Sequence, residues 1–445
     1  MRTHEELALG VPDVLLPKAG TDLHKWAVIA CDQYTSEPAY WAKVASIVGD
    51  APSALHVIYP EVFLSEPHPE ARIAKIRETM DGYLDAGLFG ETTGFVYTER
   101  TVGGHTRRGL MACLDLEQYD FNKGSTSPIR ATEGTILERI PPRVRIREGA
   151  AIELPHIMVL IDDPGDTVIG PLRAARDRQR PLYDVELMLG SGHVSGHLVD
   201  DARLEAGVVE AIAKLARAEE FARKCKVDAK TPVLLYAMGD GNHSLATAKT
   251  IWERTKSEAA DQAAVMRSKL RWALVEIVNL HDPSLVFEPI HRVLFDLRRD
   301  LIAAMREVFG ATLRATKVAS FEALRAAVDG QSADRHAVGL WSADGATLLE
   351  IEAPSANLPV GTLQAFVDGF MKASPPGARE LDYVHGAEAV ATLGAKAGNR
   401  GLYLPAMKKE DLFRTVVLDG ALPRKTFSMG EAFEKRFYLE ARRLV

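Results

Sequence analysis

The stretch VLLYAMGDGNHSLATAKTIWER at residues 233–254 carries the clearest structural signal in the chain. Its first six residues are all apolar, which predicts a buried strand over residues 233–238. The glycine-rich GDGNH that follows, residues 239–243, predicts a tight turn. From residue 244 to about residue 254 the pattern is helical. A strand, a turn and a helix therefore follow one another within 22 residues.

This turn has the properties of an anion-binding site. Gly239 and Gly241 let backbone N–H groups converge, and the start of a helix adds a partial positive charge that suits phosphate. Asn242 or Ser244 can cap the helix, and His243 stands where an acid, a base or a phosphate donor is useful. The stretch matches neither GxGxxG nor GxxxxGK[ST]. An ordinary capped turn is the alternative, and the pattern alone leaves both interpretations open.

The rest of the chain alternates strand-like and helical segments, which predicts an α+β fold with mixed sheets and packed helices. Gly103 and Gly104 join two apolar runs into a predicted hairpin, residues 95–101 and 107–115. Other strands are predicted at residues 26–31, 54–59, 157–162, 192–199 and 272–280, and helices at residues 38–48, 69–86, 201–226 and 301–309.

Positive charge is concentrated in residues 121–147, a loop-rich stretch of Ser, Thr, Pro and basic residues. Its only acidic residues are Glu133 and Glu138, and its basic residues are Lys123, Arg130, Arg139, Arg143, Arg145 and Arg147. In a chain that is acidic overall, such a cluster indicates an anionic partner. A solvated surface loop would have the same composition, so both interpretations stay open.

Glu133 is the carboxylate that we single out in this stretch. It lies among these cations and beside the hydroxyls of Thr132 and Thr135, an environment that lowers the pKa of a carboxyl group. An ionised carboxylate there can take a proton from a hydroxyl substrate or hold a metal–phosphate group. A capping carboxylate in a salt bridge is the equally good alternative.

Composition excludes several classes of protein. The 445 residues contain 54 Lys and Arg against 61 Asp and Glu, a net charge of −7, which argues against a general nucleic-acid binder. Cys31, Cys113 and Cys225 are too few and too scattered for a disulfide framework. The N-terminal residues do not resemble a signal peptide, and no apolar run approaches the ~18 residues of a membrane helix. We therefore expect a soluble, cytoplasmic protein that does not contact membranes.

Two further site patterns find no support. His193 and His197 lie four residues apart, but Gly192 and Gly196 argue for a strand, on which this spacing is about 13 Å and too long for one metal ion. No G-x-S-x-G elbow is present, so a hydrolase triad is not indicated either.

A series of short motifs runs in order along almost the whole chain and resembles one protein family. The motifs are ALHV (54–57), YPE (59–61), RGLMAC (108–113), IRATEGT (129–135), GDGNHS (239–244), NLHDP (279–283), PIHRV (289–293), YVHG (383–386) and LPRKTF (422–427). Each is weak alone, but the ordered set resembles the family catalogued as domain-of-unknown-function family 1015. That family looks similar to the free serine kinases and to the ParB-like and sulfiredoxin nucleotide-binding fold.

The resemblance implies a nucleotide site around the glycine-rich turn. In the similar proteins an Asp-Gly-His-His-Arg turn opens a helix where nucleotide phosphates and substrate meet, and a His-Glu-x-Thr stretch supplies a catalytic carboxylate. Carried over to this sequence, the catalytic residues are Glu133, His243 and Asp240. The implied nucleotide-binding residues are Gly239, Gly241, Asn242, Ser244, Arg130, Thr132, Thr135, Arg139 and Arg143.

The sequence departs from the family pattern at three of these positions. Asn242 replaces the first histidine of the turn, Ser244 replaces the arginine, and Thr132 replaces the histidine before the glutamate. Loss of the arginine removes a bidentate phosphate ligand that serine cannot replace. Arg139 or Arg143 would then supply the charge from the neighbouring stretch. A different ligand or a loss of kinase activity is equally compatible with these departures.

These observations combine into one expected organisation and function. We expect an N-terminal lobe over residues 1–258, with a ParB/serine-kinase-like nucleotide-binding core at about residues 90–256, and a closely packed C-terminal α/β lobe over residues 259–445. The resemblance implies ATP or ADP with Mg²⁺ and phosphoryl transfer to a small, perhaps serine-like, hydroxyl metabolite. A non-catalytic nucleotide-binding regulatory module and a metal-dependent phosphate-ester hydrolase are the alternatives. The sequence is compatible with a homo-oligomer, and it does not indicate which residues would bind a metal.

Overall fold

A computed structural model describes residues 1–330 and 335–445 of the chain. In these ranges the strands are β1 (Arg2–His4), β2 (Leu9–Val11), β3 (Asp13–Pro17), β4 (Val28–Ile29), β5 (Phe89–Thr93), β6 (Phe95–Val102), β7 (His105–Asp115), β8 (Tyr119–Asp120), β9 (Ile129–Arg130), β10 (Ile152–Glu153), β11 (Met158–Ile161), β12 (Arg180–Glu186), β13 (His193–Val199), β14 (Tyr236–Asp240), β15 (Trp272–Asn279), β16 (Phe287–Leu297), β17 (Leu313–Val318), β18 (Arg335–Ser342), β19 (Gly345–Glu352), β20 (Ala378–His385), β21 (Arg400–Tyr403), β22 (Phe427–Met429), β23 (Phe437–Tyr438) and β24 (Arg442–Arg443).

Helices alternate with these strands, so the protein has an α+β fold. They are α1 (Leu23–Trp26), α2 (Pro38–Val48), α3 (Pro69–Asp85), α4 (Ile140–Arg147), α5 (Gly170–Ala174), α6 (Ala202–Leu215), α7 (Ala218–Cys225), α8 (Asn242–Glu258), α9 (Gln262–Val265), α10 (Leu301–Phe309), α11 (Phe321–Asp329), α12 (Pro359–Lys372), α13 (Ala387–Gly394) and α14 (Asp411–Asp419). None of the helices in the described ranges is both long and apolar enough to cross a bilayer.

The chain divides into two compact units. The first contains Met1–Leu285 together with Gly430–Val445, and the second contains Val286–Met429. This division differs from the expected boundary after residue 258, because strand β15 belongs to the main sheet of the first unit. The last residues of the chain also belong to the first unit, since β23 pairs with β4 and β24 pairs with β10.

An 11-stranded mixed sheet forms the centre of the first unit. Nine strands follow the order β12-β13-β6-β7-β15-β11-β14-β9-β8, and β2, which pairs with β1, also pairs with β7. Strand β14 lies antiparallel to β11 and parallel to β9, whereas β11 is parallel to β15. Residues at the end of β14 therefore lie beside the beginning of β11.

Both faces of this sheet are buried, which explains why its central strands are apolar at nearly every position. Successive side chains on a strand point to opposite faces. Leu274 packs with Trp26 and Met80 on one side, and the adjacent Val275 packs with Trp252 on the other. Strand β15 is thus buried at all eight positions.

The second unit has its own sheet and core. Its seven strands follow the order β17-β19-β18-β21-β16-β20, with β22 beside β16, and all these pairs are antiparallel. Helices α11 and α13 pack on this sheet through Leu324 and Val390, which are fully buried.

Several expected elements are confirmed. Helices α2 and α10 have the predicted bounds, and α3 differs from its prediction by one residue. The hairpin forms as β6 and β7, which pair antiparallel across Gly103 and Gly104. The strands predicted at residues 157–162, 192–199 and 272–280 are β11, β13 and β15. These segments were predicted correctly because they have a strong hydrophobic periodicity or residues typical of turns.

Four predicted segments differ from the structure. Residues 54–59 are not a strand: Ala54–His56 form a 3₁₀ helix, whose start the side chain of Ser53 caps. Residues 26–31 contain only the short β4, because Asp22 caps helix α1 immediately before it. The helix predicted over residues 201–226 is two helices, since Arg217 is extended. The loop-rich 121–147 stretch ends in helix α4, with prolines in its first turn.

A buried ion-pair network attaches the end of the chain to the core. Glu153 on β10 is 6% exposed, and Arg442 on β24 is 2% exposed. The Arg442 Nε donates to Glu153 Oε1 at 2.6 Å, and the same oxygen accepts the backbone N–H of Leu274 at 2.9 Å. Arg147 also donates to Glu153. These arginines hold the pKa of the Glu153 carboxyl below its usual value although burial acts to raise it.

Replacing Arg442 with methionine should destabilise the first unit strongly. Loss of one partner from a buried pair costs about 3–5 kcal/mol, because the remaining charge is left without full compensation. Arg443→Met is the matched control, since Arg443 is 38% exposed and lies 3.6 Å from Glu91, and such pairs contribute about 0–1 kcal/mol. Urea denaturation checks the prediction, and equal effects of the two substitutions would contradict it.

Candidate functional site

Strand β14 leads through Gly241 directly into helix α8. Gly241 has φ 78°, in the left-handed region, and a Cβ there would lie 3.1 Å from Ile157 Cα. Glycine meets both requirements, the conformation and the close approach. The backbone oxygen of Gly241 accepts hydrogen bonds from the N–H groups of Ser244 and Leu245. Helix α8 therefore begins two residues earlier than predicted, and the expected side-chain cap by Asn242 or Ser244 is wrong.

This start places Asn242 and His243 in the first turn of α8. The first backbone N–H groups of a helix have no partner within the helix, and they carry the positive end of its dipole. Asn242 Oδ1 and His243 Nε2 are buried and have no hydrogen-bond partner among the described residues. The beginning of α8 therefore combines orphan backbone donors with unsatisfied side-chain atoms.

Asp240 ends strand β14 and stabilises the turn. Its Oδ1 accepts the N–H of Gly241 at 2.9 Å, and its Oδ2 lies 3.0 Å from Lys435 Nζ. Gly239, just before it, is required for close strand packing, because a Cβ there would lie 3.1 Å from Leu160 Cγ. Asp240 and Gly239 thus shape the turn.

The segment that carries Glu133 lies beside this turn. Strand β9 pairs in parallel with β14, and Thr132 Oγ1 donates to the backbone oxygen of Met238 at 2.7 Å. Glu133, the next residue, is half-buried. Thr135 Oγ1 is buried and has no hydrogen-bond partner in the described part of the chain. Two stretches separated by about a hundred residues in sequence are therefore neighbours in the fold.

Arg130 is in the same segment, but its side chain has a structural role. Its guanidinium donates to the backbone oxygens of Ser127, Pro232 and Val233 at 2.6–3.2 Å. Arg130 is 4% exposed, and burial lowers its pKa to about 10. These bonds tie down the chain before β14, so the guanidinium of Arg130 does not join the residues around the turn.

Arg139 and Arg143 supply positive charge near the turn. Helix α4, which carries Arg143, packs against α8. The Arg143 Nε donates to Glu61 Oε1 at 2.9 Å, and the Arg143 Nη1 donates to the backbone oxygen of Arg139 at 2.7 Å. Arg139 itself is exposed at the start of α4.

His243 responds to this charge. Burial lowers the pKa of its imidazole, and the positive charges of Arg143 and Arg139 lower it further, while Asp32 opposes them. A histidine with a pKa below 6.5 is neutral at pH 7. Its ring therefore has one N–H donor and one free nitrogen at that pH.

A hydrogen-bond chain that sequence reasoning missed reaches the same helix end. Ser244 Oγ lies 2.8 Å from His156 Nε2, and His156 Nδ1 lies 2.7 Å from the hydroxyl of Tyr438. That hydroxyl accepts the N–H of Cys31 at 3.1 Å. His156 precedes β11 and Tyr438 lies near the C-terminus, so only tertiary structure brings them together.

Two carboxylates complete this group of residues. Asp32 Oδ2 lies 3.8 Å from His156 Nε2. The backbone N–H of Glu61 donates to the oxygen of Cys31 at 2.8 Å. Burial and the charge of Asp32 raise the pKa of the Glu61 carboxyl, although Arg143 acts to lower it. The YPE motif at residues 59–61 was a signal for Glu61, but nothing in the sequence pointed to Asp32.

A cavity opens beside these polar residues. Its empty volume is about 900 Å³, which includes the space open to solvent at its mouth. Its polar lining includes Cys31, Glu61, Arg143, His156 and Ser244, while the rest of the wall is mainly apolar. The site of the first unit thus consists of the beginning of α8, the neighbouring segment with Glu133, and this cavity.

A family model described as "Protein of unknown function (DUF1015)" matches residues 15–372. The chain belongs to the DUF1015 family. The match includes the segment with Glu133, the turn at residues 239–243 and the Glu61 motif. A search of the curated proteins finds no match to this chain.

Solved structures similar to this DUF1015 protein include complexes of a free serine kinase. A mutant of that kinase with AMP has 12% identity and a TM-score of 0.37, covering 74% of this chain and 90% of that one. A mutant with ADP has the same identity and TM-score, covering 74% and 91%. The kinase with AMP has 11% identity and a TM-score of 0.36, covering 74% and 90%.

Removing the charge of Arg143 should raise the pKa of His243. A nearby positive charge disfavours the protonated imidazolium, and Arg143→Gln also releases the negative charge of Glu61. The expected result is a shift of the His243 titration to higher pH, measured by NMR of the ring C–H groups. Arg145→Gln in the same helix is the control, because Arg145 is exposed and pairs at 3.8 Å with Glu70. An unchanged His243 titration in Arg143→Gln would contradict this account.

Proposed function

We propose that this protein is a nucleotide-dependent phosphotransferase that acts on a small metabolite with a hydroxyl group. The proposal rests on one observation: the first turn of α8, with its helix-start N–H groups and the buried, unsatisfied His243 Nε2, lies beside the segment that carries Glu133. A phosphate group satisfies backbone N–H groups at a helix start, and the helix dipole stabilises its negative charge.

Nucleotide phosphates are held in this proposal by the start of α8. The backbone N–H groups of Gly241, Asn242 and His243 belong to the turn, although that of Gly241 already donates to Asp240. The neutral His243 ring donates its N–H to a phosphate oxygen. Before a ligand binds, the buried imidazole nitrogen has no partner, which costs free energy. Hydrogen bonding to the phosphate removes that cost and so strengthens binding. Thr135 Oγ1 is a further donor at the neighbouring segment.

Glu133 acts as the general base. It takes the proton of the acceptor hydroxyl while that oxygen attacks the γ-phosphorus atom of ATP. The bond between the γ-phosphorus and the bridging oxygen breaks, so ADP leaves and the phosphate ester remains on the acceptor. General-base catalysis of this kind contributes about 10²–10⁴-fold to a rate.

Positive charge for this step comes from helix α4. Phosphoryl transfer is accelerated mainly by groups that position the reactants and stabilise charge on the phosphoryl oxygens. Ser244 stands where the family pattern has arginine. Positive charge near the turn comes instead from Arg143 and Arg139, which act on His243, and from Lys435, which pairs with Asp240. Arg143 is already paired with Glu61 and is therefore held in place before a ligand binds.

Magnesium is expected with such a nucleotide, and the residues at the site are compatible with it. No group of three or more His, Cys, Asp and Glu arranged to hold a metal occurs among the described residues. Mg²⁺ in nucleotide enzymes needs only one or two carboxylates, because phosphates and water complete its coordination. Glu61, which lines the cavity, and Asp32, which lies near His156, are carboxylates that would hold the ion. The ion would supply charge neutralisation for the phosphates.

The proposed architecture follows from the same site. We propose a ParB/serine-kinase-like nucleotide-binding core within the first unit, because a strand that leads through a glycine into a helix is the element that this fold uses for phosphate. Serine kinase activity requires serine as the phosphoryl acceptor. Whether the protein phosphorylates serine can be tested separately from whether it binds a nucleotide.

Replacing His243 with alanine should weaken ADP binding about 10-fold or more, because a hydrogen bond to a charged group contributes about 1.5–3 kcal/mol. Isothermal titration with ADP and Mg²⁺ measures the change. His193→Ala is the matched control, since His193 lies on β13 and bonds with the exposed Asp184. If His243→Ala bound ADP as tightly as the unaltered protein, the phosphate site would lie elsewhere.

Replacing Glu133 with glutamine should lower turnover about 100-fold or more while ADP affinity stays the same, because glutamine cannot accept the proton. The measurement is formation of phosphorylated product from ATP and a panel of hydroxyl compounds. Glu138→Gln, an exposed residue of the same segment, is the control.

Product analysis also separates the alternatives. Full turnover in Glu133→Gln would contradict the assignment of the base. Nucleotide binding without any phosphorylated product would favour a regulatory module. Release of phosphate from phosphorylated metabolites without an acceptor would favour a phosphate-ester hydrolase.

A further inference from the structure

The cavity beside α8 has a mainly apolar wall and is open to solvent, and its volume of about 900 Å³ includes that solvent space. Several separate segments contribute to its wall, among them α3, α4, residues 57–64 and residues 150–157. Aliphatic side chains form much of this wall, among them Val57, Ile58, Leu64, Ile76, Met80 and Ile146.

Most polar side chains in the cavity lining already have partners within the protein. Ser244 and His156 bond with each other, and Arg143 bonds with Glu61. The other charged pair in the lining, Arg147 with Glu153, belongs to the network that attaches β24. The hydrogen-bonding groups of Arg147 and Glu153 therefore already have partners within the protein.

This distribution favours a ligand with a hydrocarbon body. An aliphatic wall gains about 0.8 kcal/mol for each methylene that leaves water. A purine base would place the hydrogen-bonding atoms of its edge against a wall whose polar side chains are mostly paired already. The polar end of the ligand would lie at Ser244 and His156, next to the first turn of α8. Glu133 does not line the cavity, so the acceptor hydroxyl must extend past this turn to reach it.

We propose that the cavity binds the body of the phosphoryl acceptor, and that this acceptor is an alcohol with an aliphatic body of several carbons. The assignment of its hydroxyl as the accepting group rests on the proposed phosphotransferase function. The apolar binding site itself rests on the cavity wall and the position of Ser244 and His156. Nucleotide and acceptor then occupy adjacent places at the beginning of one helix.

A series of straight-chain alcohols tests the proposal. 1-Butanol, 1-hexanol and 1-octanol are titrated against the full chain, with L-serine for comparison, and binding is followed by ligand-detected NMR. The affinity should increase about fourfold for each added methylene, the ratio that 0.8 kcal/mol gives, until the cavity is filled. L-Serine should bind far more weakly than 1-octanol.

Filling the cavity should abolish this dependence on chain length. Ile146→Trp places a large ring at the wall, and Leu64→Trp does so from another segment if the first variant does not fold. Ile136→Trp is the control, because Ile136 is 44% exposed and does not line the cavity. Equal affinity for all three alcohols, or the same length dependence in a cavity-filled variant that is folded, would overturn the proposal.

Titration of ADP with Mg²⁺ in the presence of 1-octanol distinguishes this proposal from the phosphotransferase function. We expect ADP and 1-octanol to bind together. Competition between them would show that the cavity receives the nucleotide base, and would overturn the acceptor assignment while leaving nucleotide binding intact. If 1-octanol binds and ADP does not, the phosphotransferase proposal fails and the acceptor assignment fails with it, while the apolar site stands.

Discussion

The pairing of strand β14 on both of its edges determines what surrounds the candidate site. Antiparallel pairing with β11 places Asp240 opposite Met158, and therefore brings His156 close to the beginning of α8. Parallel pairing with β9 places the residues after Arg130 along the other edge. A single strand thus brings together a helix start, a carboxylate segment and a histidine that are far apart in sequence.

The electrostatics of the site follow from this arrangement. The protein has a net charge of −7, yet the residues beside the turn include Arg139 and Arg143. Arg143 keeps Glu61 close, so its own charge is partly compensated before any ligand arrives. His243, next to these cations and half-buried, stays neutral at pH 7 and keeps a donor for an anion. A small positive region therefore exists within an acidic chain.

Local sequence signals predicted the elements that such signals control. The apolar run and the glycines before Ser244 predicted a strand, a turn and a helix in this order. The strand is Tyr236–Asp240 rather than residues 233–238, and helix α8 begins two residues earlier than predicted because Gly241 is its N-cap. The hairpin and α3 followed from glycine chemistry and helical periodicity. The strand predicted over residues 54–59 is wrong because these residues are buried by packing in the core, without strand pairing. In sequence, such an apolar run has the same pattern as a buried strand.

The site was predicted only in part for a related physical reason. Glu133 and His243 stand in motifs, and their neighbourhood depends on one strand pairing that the sequence does not state. Arg130 looked like a phosphate ligand from its charge alone, but its three bonds to backbone oxygens can be known only when the fold places residues 127, 232 and 233 around it. Asp32, His156 and Tyr438 carry no motif and come from distant segments.

The replacement of arginine by Ser244 has a structural consequence as well as an electrostatic one. Ser244 Oγ bonds with His156, and both residues line the cavity. His156 in turn bonds with the hydroxyl of Tyr438. The residue that departs from the pattern of the similar proteins is therefore also the residue that joins the beginning of α8 to the cavity lining.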